Sequence, residues 1–343
     1  MQLKRYENNP ILRPNPNNEW ENFCVLNPAV IYDEESKKFI MLYRAAGDTK
    51  EHYIQLGLAT SEDGFTFQRE SDEPCLAVDF NDADGGCIED PRLVKIDGFY
   101  YVTYAGRPFY PGRYWLTLEQ YIAENGEPEV FPETAPWFIR KNATATYLAY
   151  TKDFKTFKRL GRITDSRYDD RDVVIFPEQV NGKFVRLSRP KFPKEHKLGD
   201  IPPSIWISFS DDLMEWDNLT LLMKGEQWWE NDRIGASCPP LKTDKGWLFI
   251  YHGKCKDDEQ YRVGIALLDL QDPSKILART KDFVLEPKYD YETKGIYNGC
   301  VFPTGNVIKD GVLYVYYGCA DKYVAVATAN VDEILAELLK EKI

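Results

Sequence analysis

The chain has 343 residues, 43% of them hydrophobic, which is enough for one large repeat-built domain or two ordinary ones. Lys and Arg number 43 against 55 Asp and Glu, a formal charge of −12 without any Lys/Arg block, which argues against a nucleic-acid binder that works through a basic face. No apolar run reaches the length of a membrane span. The opening residues, Met1 to Asn8, lack the apolar core of a signal peptide. The 7 cysteines are scattered and form no CxxC pair. Together these features predict a cytoplasmic protein with reduced thiols and neither a disulfide framework nor a metal site.

One unit recurs along the chain. An apolar strand leads through an acidic or Asp/Asn-Gly turn into an aromatic-rich strand, then a third and an outer strand. The first copy runs from Asn27–Tyr32 through the turn Asp33–Lys38 to Phe39–Arg44 and Ile54–Thr60. The second runs from Asp90–Ile96 through Asp97-Gly98 to Phe99–Tyr104 and Thr144–Tyr150. The third has Asp172–Gln179, Asn181-Gly182, Lys183–Arg189 and Ser204–Phe209. The fourth has Gly235–Leu241, Asp244–Gly246, Trp247–Gly253 and Tyr261–Asp269, and the fifth Gly299–Ile308, Asp310-Gly311, Val312–Gly318 and Val324–Asn330. Asp-Gly and Asn-Gly between alternating apolar runs are strong hairpin signals. Units that start near 27, 90, 172, 235 and 299 predict an all-β five-bladed β-propeller, a single domain over residues 1–343. Aromatic residues at 14% fit both a β core and a sugar-stacking cleft. Residues 106–141 read as an insertion, a lid or an oligomer contact, and residues 331–343 as an amphipathic C-terminal helix. Exposed aromatics and that helix predict a homo-oligomer. The acids Asp63, Asp153 and Asp211 are expected to cap the turns after the third strands.

In a propeller the polar residues that start the inner strands converge on a central channel. They are Asn27, Asp90, Asp172, Arg233 and Asn298 here, joined by Arg44, Arg189, His252 and Asp321 from the ends of second strands. Charges at the ends of apolar strands are costly unless paired or used. The stretch Gly85-Gly86-Cys87-Ile88-Glu89-Asp90-Pro91-Arg92 stands out. Pro91 is expected to keep Asp90 extended, Arg92 to hold Asp90 oriented and ionised, and the glycines to let a sugar approach the backbone. Taken alone, the stretch is also compatible with an Asp-Pro turn and a surface ion pair. No GxSxG, HExxH or P-loop occurs. His52 and His196 fall in polar loops and read as solvated; His252 ends an apolar strand, as a structural residue or an anion holder.

The motifs Asn27-Pro28-Ala29, Tyr43-Arg44-Ala45, Ile88-Glu89-Asp90-Pro91-Arg92, Phe176-Pro177-Glu178, Arg189-Pro190, Arg233-Ile234-Gly235, Tyr251-His252-Gly253, Val301-Phe302-Pro303 and Tyr316–Asp321 appear in order over almost the whole chain. In these the chain resembles glycoside hydrolase family 130, the mannoside phosphorylases and related β-mannosidases. The resemblance implies a five-bladed propeller that phosphorolyses short β-mannosides to α-mannose 1-phosphate, with β-1,2 linkages favoured and β-1,4 open. It implies Asp90 as general acid acting through a substrate hydroxyl. Asn27, Arg44, Arg92 and Asp321 would contact the sugar, and Arg140, Arg189, His252 and Lys254 would hold phosphate, with Arg233 a further candidate. Inorganic phosphate is then a co-substrate, and no cofactor or metal is implied. Two positions depart from the family pattern: Ser188 where histidine is frequent, and Arg171 where lysine is frequent.

The chemistry agrees with the composition of the motif. Inverting hydrolysis needs a second carboxylate to activate water. Phosphate is already an anion and needs cations to place it. Two other readings stay open on the sequence, an inverting β-mannosidase with Glu226 or Glu230 as base, and a non-catalytic sugar-binding propeller.

Overall fold

The computed structural model describes residues 1–127 and 130–341. Its regular structure is mostly antiparallel sheet, with a few short helices. The hairpin signals act as expected: Asp97-Gly98, Asn181-Gly182 and Asp310-Gly311 have φ of 49° and 76°, 52° and 78°, and 51° and 75°. Two successive positive φ angles match the right-handed twist of the flanking strands, and Asp or Asn followed by Gly reaches them at least cost. After the third strands, Asp63 and Asp153 accept backbone N–H groups as expected. In the third copy that role falls to Asp212, which accepts from Met214 and Glu215, while Asp211 pairs with Lys183. The Ser/Thr-x-Asp spacing, counted from Ser210, selects Asp212.

The first copy comprises Cys24–Asp33, Lys38–Ala46, Ile54–Ser61 and Gln68–Arg69. The second comprises Cys87–Ile96, Phe99–Arg107, Ala145–Thr151 and Phe157–Arg162. A single parallel pairing, Ile54 to Cys87, joins these two meanders. The third meander starts at Asp169–Ile175, the fourth at Arg233–Ala236 and the fifth at Val301–Lys309. The outer strand of the fifth comes from the other end of the chain. Lys4–Arg5 pairs with Tyr323–Asn330, a pairing not visible in the repeat pattern.

The core lies between neighbouring meanders. Leu42 and Leu56 pack with Val102 and Tyr104, Leu148 with Val173 and Ile175, and Leu187 with Trp247 and Phe249. Ile250 and Val263 pack with Val315 and Tyr317, and Met41 and Tyr43 of the first meander pack with Tyr316 and Val326 of the fifth. Each burial of a large aromatic or aliphatic side chain contributes about 1.5–3 kcal/mol.

The C-terminal segment forms a helix over Val331–Leu338, capped by the Asn330 side chain, and a 3-10 turn over Leu339–Glu341. The last two residues of the expected helix, 342 and 343, lie outside the described residues. Its apolar face, Val331, Ile334, Leu335 and Leu338, is buried against the core. Within the insertion, helices span Leu118–Asn125 and Trp137–Arg140. Among the described residues no helix is long and apolar enough to cross a membrane.

Candidate active site

Three first strands carry the same irregularity. The ladder shifts between Leu26 and Ala29, between Glu89 and Arg92, and between Arg171 and Val174. At each shift one acid or amide takes a left-handed backbone: Asn27 at φ 44°, Asp90 at 53° and Asp172 at 57°. Asn and Asp tolerate this region best, and bulges of this kind re-aim a side chain. Asp90 is therefore not extended, as the following proline led one to expect. The bulge frees it from the ladder, and surrounding contacts hold the strained geometry.

The three side chains meet in a pocket of about 290 Å³. Asp90 Oδ1 accepts from Asn27 Nδ2 at 2.7 Å and from Arg44 at 2.8 Å. Arg44 also stands 3.1 Å from Glu89, so one guanidinium serves two carboxylates. Burial raises the Asp90 pKa, but Arg44, Arg92 and the Asn27 hydrogen bond outweigh it and hold the carboxyl below its ordinary value. Asp321 follows Ala320 on a second left-handed pair, φ 49° and 54°, and lines the same wall. Desolvation pushes its pKa up to about 6, against the pull of Arg44.

A second cluster faces this one. Arg107, Arg171, Arg189, Lys191 and Arg233 line the pocket with Asp169 and Asp172. Arg171 grips Asp169 with two hydrogen bonds, of 2.9 and 2.5 Å. Arg189 Nε donates to Asp172 at 2.5 Å. Burial would raise the Asp172 pKa, but Arg189, His252 and Arg92 hold it well below the carboxylate range. Arg107 lies 3.5 Å from Glu89 and links the two clusters. Tyr114 reaches the pocket from the insertion, and Tyr261 and Tyr297 line it as well.

Of the residues expected at the site, Asp90, Asn27, Arg44, Asp321, Arg189 and Arg233 are brought together. Four others are not. Arg92 lies under the pocket floor, 3% exposed, where it donates to the Asp90 carbonyl at 2.7 Å and to the Ser237 carbonyl at 3.0 Å. It fixes the Asp90 backbone and does not line the pocket. His252 is buried beneath Asp172, its Nδ1 3.0 Å from the Ser237 hydroxyl and its Nε2 3.4 Å from Asp172 Oδ2. Burial lowers its pKa, and the ring does not line the pocket. Lys254 faces Glu259 at 3.2 Å and Asp232 at 4.0 Å, away from the lining. Arg140 ends the short insertion helix, exposed, donating to the Ala135 carbonyl.

Other expectations also shift. The glycines before Asp90 accommodate protein, not sugar: a Cβ on Gly86 would lie 2.0 Å from the Phe109 backbone. His52 is fully buried, 4.9 Å from the Trp115 ring. His196 stacks on Phe192 at 4.6 Å. Glu230 is buried against Arg279 at 2.5 Å and Glu226 lies 3.6 Å from the same arginine, so neither faces the pocket. Sequence reading missed Arg107, Arg171 and Lys191 as lining residues. Lys191 had a signal, being two positions from Arg189 on strand Phe184–Lys191 and so on the same face.

The profile of glycoside hydrolase family 130, described as β-1,4-mannooligosaccharide phosphorylase, matches residues 2–116 and 139–341. The chain belongs to this family. It is 37% identical over 341 residues to a 1,2-β-oligomannan phosphorylase of Thermoanaerobacter sp. (strain X514), covering 97% of this chain and 99% of the relative. It is 35% identical to a β-1,2-mannobiose phosphorylase of the same organism, covering 97% of this chain and 98% of that protein. The β-1,2-mannobiose phosphorylase of Listeria innocua, solved with β-1,2-mannobiose, superposes with a TM-score of 0.79 at 26% identity, covering 99% of this chain and 100% of that one. The chain is thus an enzyme of a family that includes mannoside phosphorylases.

Proposed function

We propose that the chain is an inverting phosphorylase of short β-1,2-linked mannosides that releases α-mannose 1-phosphate. The observation that carries this reading is the pairing of one bulge-presented carboxylate, Asp90, with a facing wall of Arg107, Arg171, Arg189, Lys191 and Arg233. The relatives named for 1,2-β-mannosides support the linkage.

In this reading Asn27, Arg44 and Asp321 hold the mannosyl unit beside Asp90. The cationic wall places phosphate on the opposite face of the anomeric carbon. A phosphate oxygen forms the new bond to that carbon as the glycosidic C–O bond breaks, its electron pair leaving on the oxygen. A substrate hydroxyl passes the leaving oxygen a proton and takes one from Asp90. The configuration inverts from β to α. Asp90 is ionised in the free protein, so its proton is taken up as the mannoside displaces solvent and an anionic co-substrate offsets the arginines.

Hydrolysis lacks an evident base. Of the lining carboxylates besides Asp90, Glu89, Asp169 and Asp172 are each engaged by arginine, and Asp321 is taken up by the mannosyl unit in this reading. Phosphate is the co-substrate, and the reading needs no metal or organic cofactor. The cyclic order of inter-sheet cores and the joining of the two chain ends support a single five-bladed propeller, with blades that start near 27, 90, 172, 235 and 299. The enzyme in this reading is cytoplasmic, where a sugar phosphate is retained. Exposed Phe80, Phe109 and Tyr110 support self-association, whereas the C-terminal helix, with its apolar face buried, does not.

The test is turnover of β-1,2-mannobiose with and without phosphate, followed by phosphorus NMR. Phosphate-dependent appearance of α-mannose 1-phosphate is expected. Unchanged turnover to free mannose without phosphate contradicts the proposal.

A further inference from the structure

A second cavity, of about 340 Å³, adjoins the active-site pocket and shares Arg107, Asp169, Arg171 and Lys191 with it. Its remaining wall comes from Trp137 and Lys141 of the insertion, from Asn142 to Thr144 just after it, and from Phe192 and Pro193. The shared boundary is the cationic cluster, not the Asp90 cluster. Four cations, Arg107, Lys141, Arg171 and Lys191, line this cavity against one carboxylate, Asp169, which Arg171 already neutralises. In a chain of formal charge −12 such a local excess is a specific feature.

The reaction gives this arrangement a use. In an inverting displacement the attacking and leaving atoms lie on opposite faces of the anomeric carbon. A mannoside seated against Asn27, Arg44, Asp90 and Asp321 occupies one side of the pocket, and the anion must reach the other. We propose that the second cavity is a side inlet through which inorganic phosphate reaches the cationic wall, with the exposed Lys141 as its outermost guide. This rests on the phosphorylase reading. Trp137 and Phe192 supply apolar side walls, which raise the reach of the cationic field by excluding water. Trp137 lies within residues 117–138, which the family profile does not match.

Lys141 offers a clean test, because among the described residues only its backbone N–H makes a hydrogen bond, donating to the Ile139 and Trp137 carbonyls. Steady-state rates of β-1,2-mannobiose phosphorolysis are measured for the full chain and for Lys141→Glu, Lys141→Arg and Trp137→Ala, with phosphate and mannobiose varied in turn. Lys141→Glu is expected to raise the KM for phosphate about three- to tenfold, with kcat and the KM for mannobiose unchanged. Lys141→Arg keeps the parent value. The difference shrinks in 1 M salt, where the Debye length falls to about 3 Å. An unchanged phosphate KM in Lys141→Glu overturns the inlet while leaving the proposed function intact. So does a Trp137→Ala variant that loses affinity for longer mannosides alone, which makes the cavity a sugar subsite. Turnover of the parent without phosphate overturns the proposed function and the inlet together.

Discussion

Arg44 is the group on which the catalytic end of the pocket depends most. It is 6% exposed and stands 2.8 Å from Asp90 and 3.1 Å from Glu89. Arg44→Met keeps much of the side-chain volume and removes the charge. Two carboxylates then face each other across an apolar group, and breaking a buried ion pair in this way costs about 3–5 kcal/mol. Asp90 is 13% exposed on its side chain and keeps Arg92 nearby, so the lower end, about 3 kcal/mol, is the expected loss at pH 8. The loss depends on pH with a definite sign. In the parent the folded pKa of Asp90 is depressed, so its contribution is fully present above the unfolded value near 3.9 and constant from pH 5 to 8. In the variant burial dominates and the folded pKa rises above the unfolded one, so a penalty grows as pH rises from about 4. Urea unfolding of both proteins at pH 5 and pH 8 measures the difference. The gap in unfolding free energy is expected to be wider at pH 8. An equal gap at the two pH values, or a loss below about 1 kcal/mol at pH 8, refutes the role given to Arg44.

Two further changes probe the same wall from behind. A Cβ on Gly318 would lie 2.0 Å from Asn27 Oδ1, so Gly318→Ala displaces the amide that bonds Asp90. The expected result is a fall in kcat of about tenfold or more, set by the loss of one positioned hydrogen bond of about 1.5–3 kcal/mol, with the circular dichroism spectrum unchanged. Asp321, raised to about 6 by desolvation, opposes folding as pH rises from about 4 through 6. Asp321→Asn is therefore expected to be the more stable protein above pH 6 by about 3 kcal/mol, equal to the parent below pH 4, and much weaker on mannobiose. Thermal unfolding across that range, with KM for mannobiose, checks both halves.

Much of this architecture was legible because its signals are local. Asp-Gly and Asn-Gly hairpins fixed strand pairs, and recurring strand starts at Asn27, Asp90 and Asp172 pointed to one pocket. The errors come from the bulges. A ladder shift turns one side chain toward the pocket and sends the next under the floor, so Arg92 and Asp90 do not share a face despite their spacing. His252 pairs in register with Gly235, where a Cβ would lie 2.6 Å from the imidazole, and that space lets the ring sit beneath Asp172. Arg140 points outward from a helix too short to carry periodicity. Arg171, by contrast, precedes Asp172 as Glu89 precedes Asp90. Laying the copies over one another at the bulge would have marked it. The outer strand Lys4–Arg5 has two residues and pairs with Thr328 and Ala327 near the other end of the chain, which no local pattern encodes.

The proposed phosphorolysis depends on Asp90 as the proton donor opposite a bound phosphate. Asp90→Asn keeps the size and removes the proton, and a positioned general acid contributes about 10²–10⁴-fold. The measurement is the phosphorolysis rate of β-1,2-mannobiose at saturating phosphate, beside calorimetric binding of mannobiose to the same protein. The prediction is a rate lowered about 10²–10⁴-fold with binding kept within a few-fold. A variant that turns over mannobiose at the parent rate, or that loses binding in step with rate, contradicts the assignment.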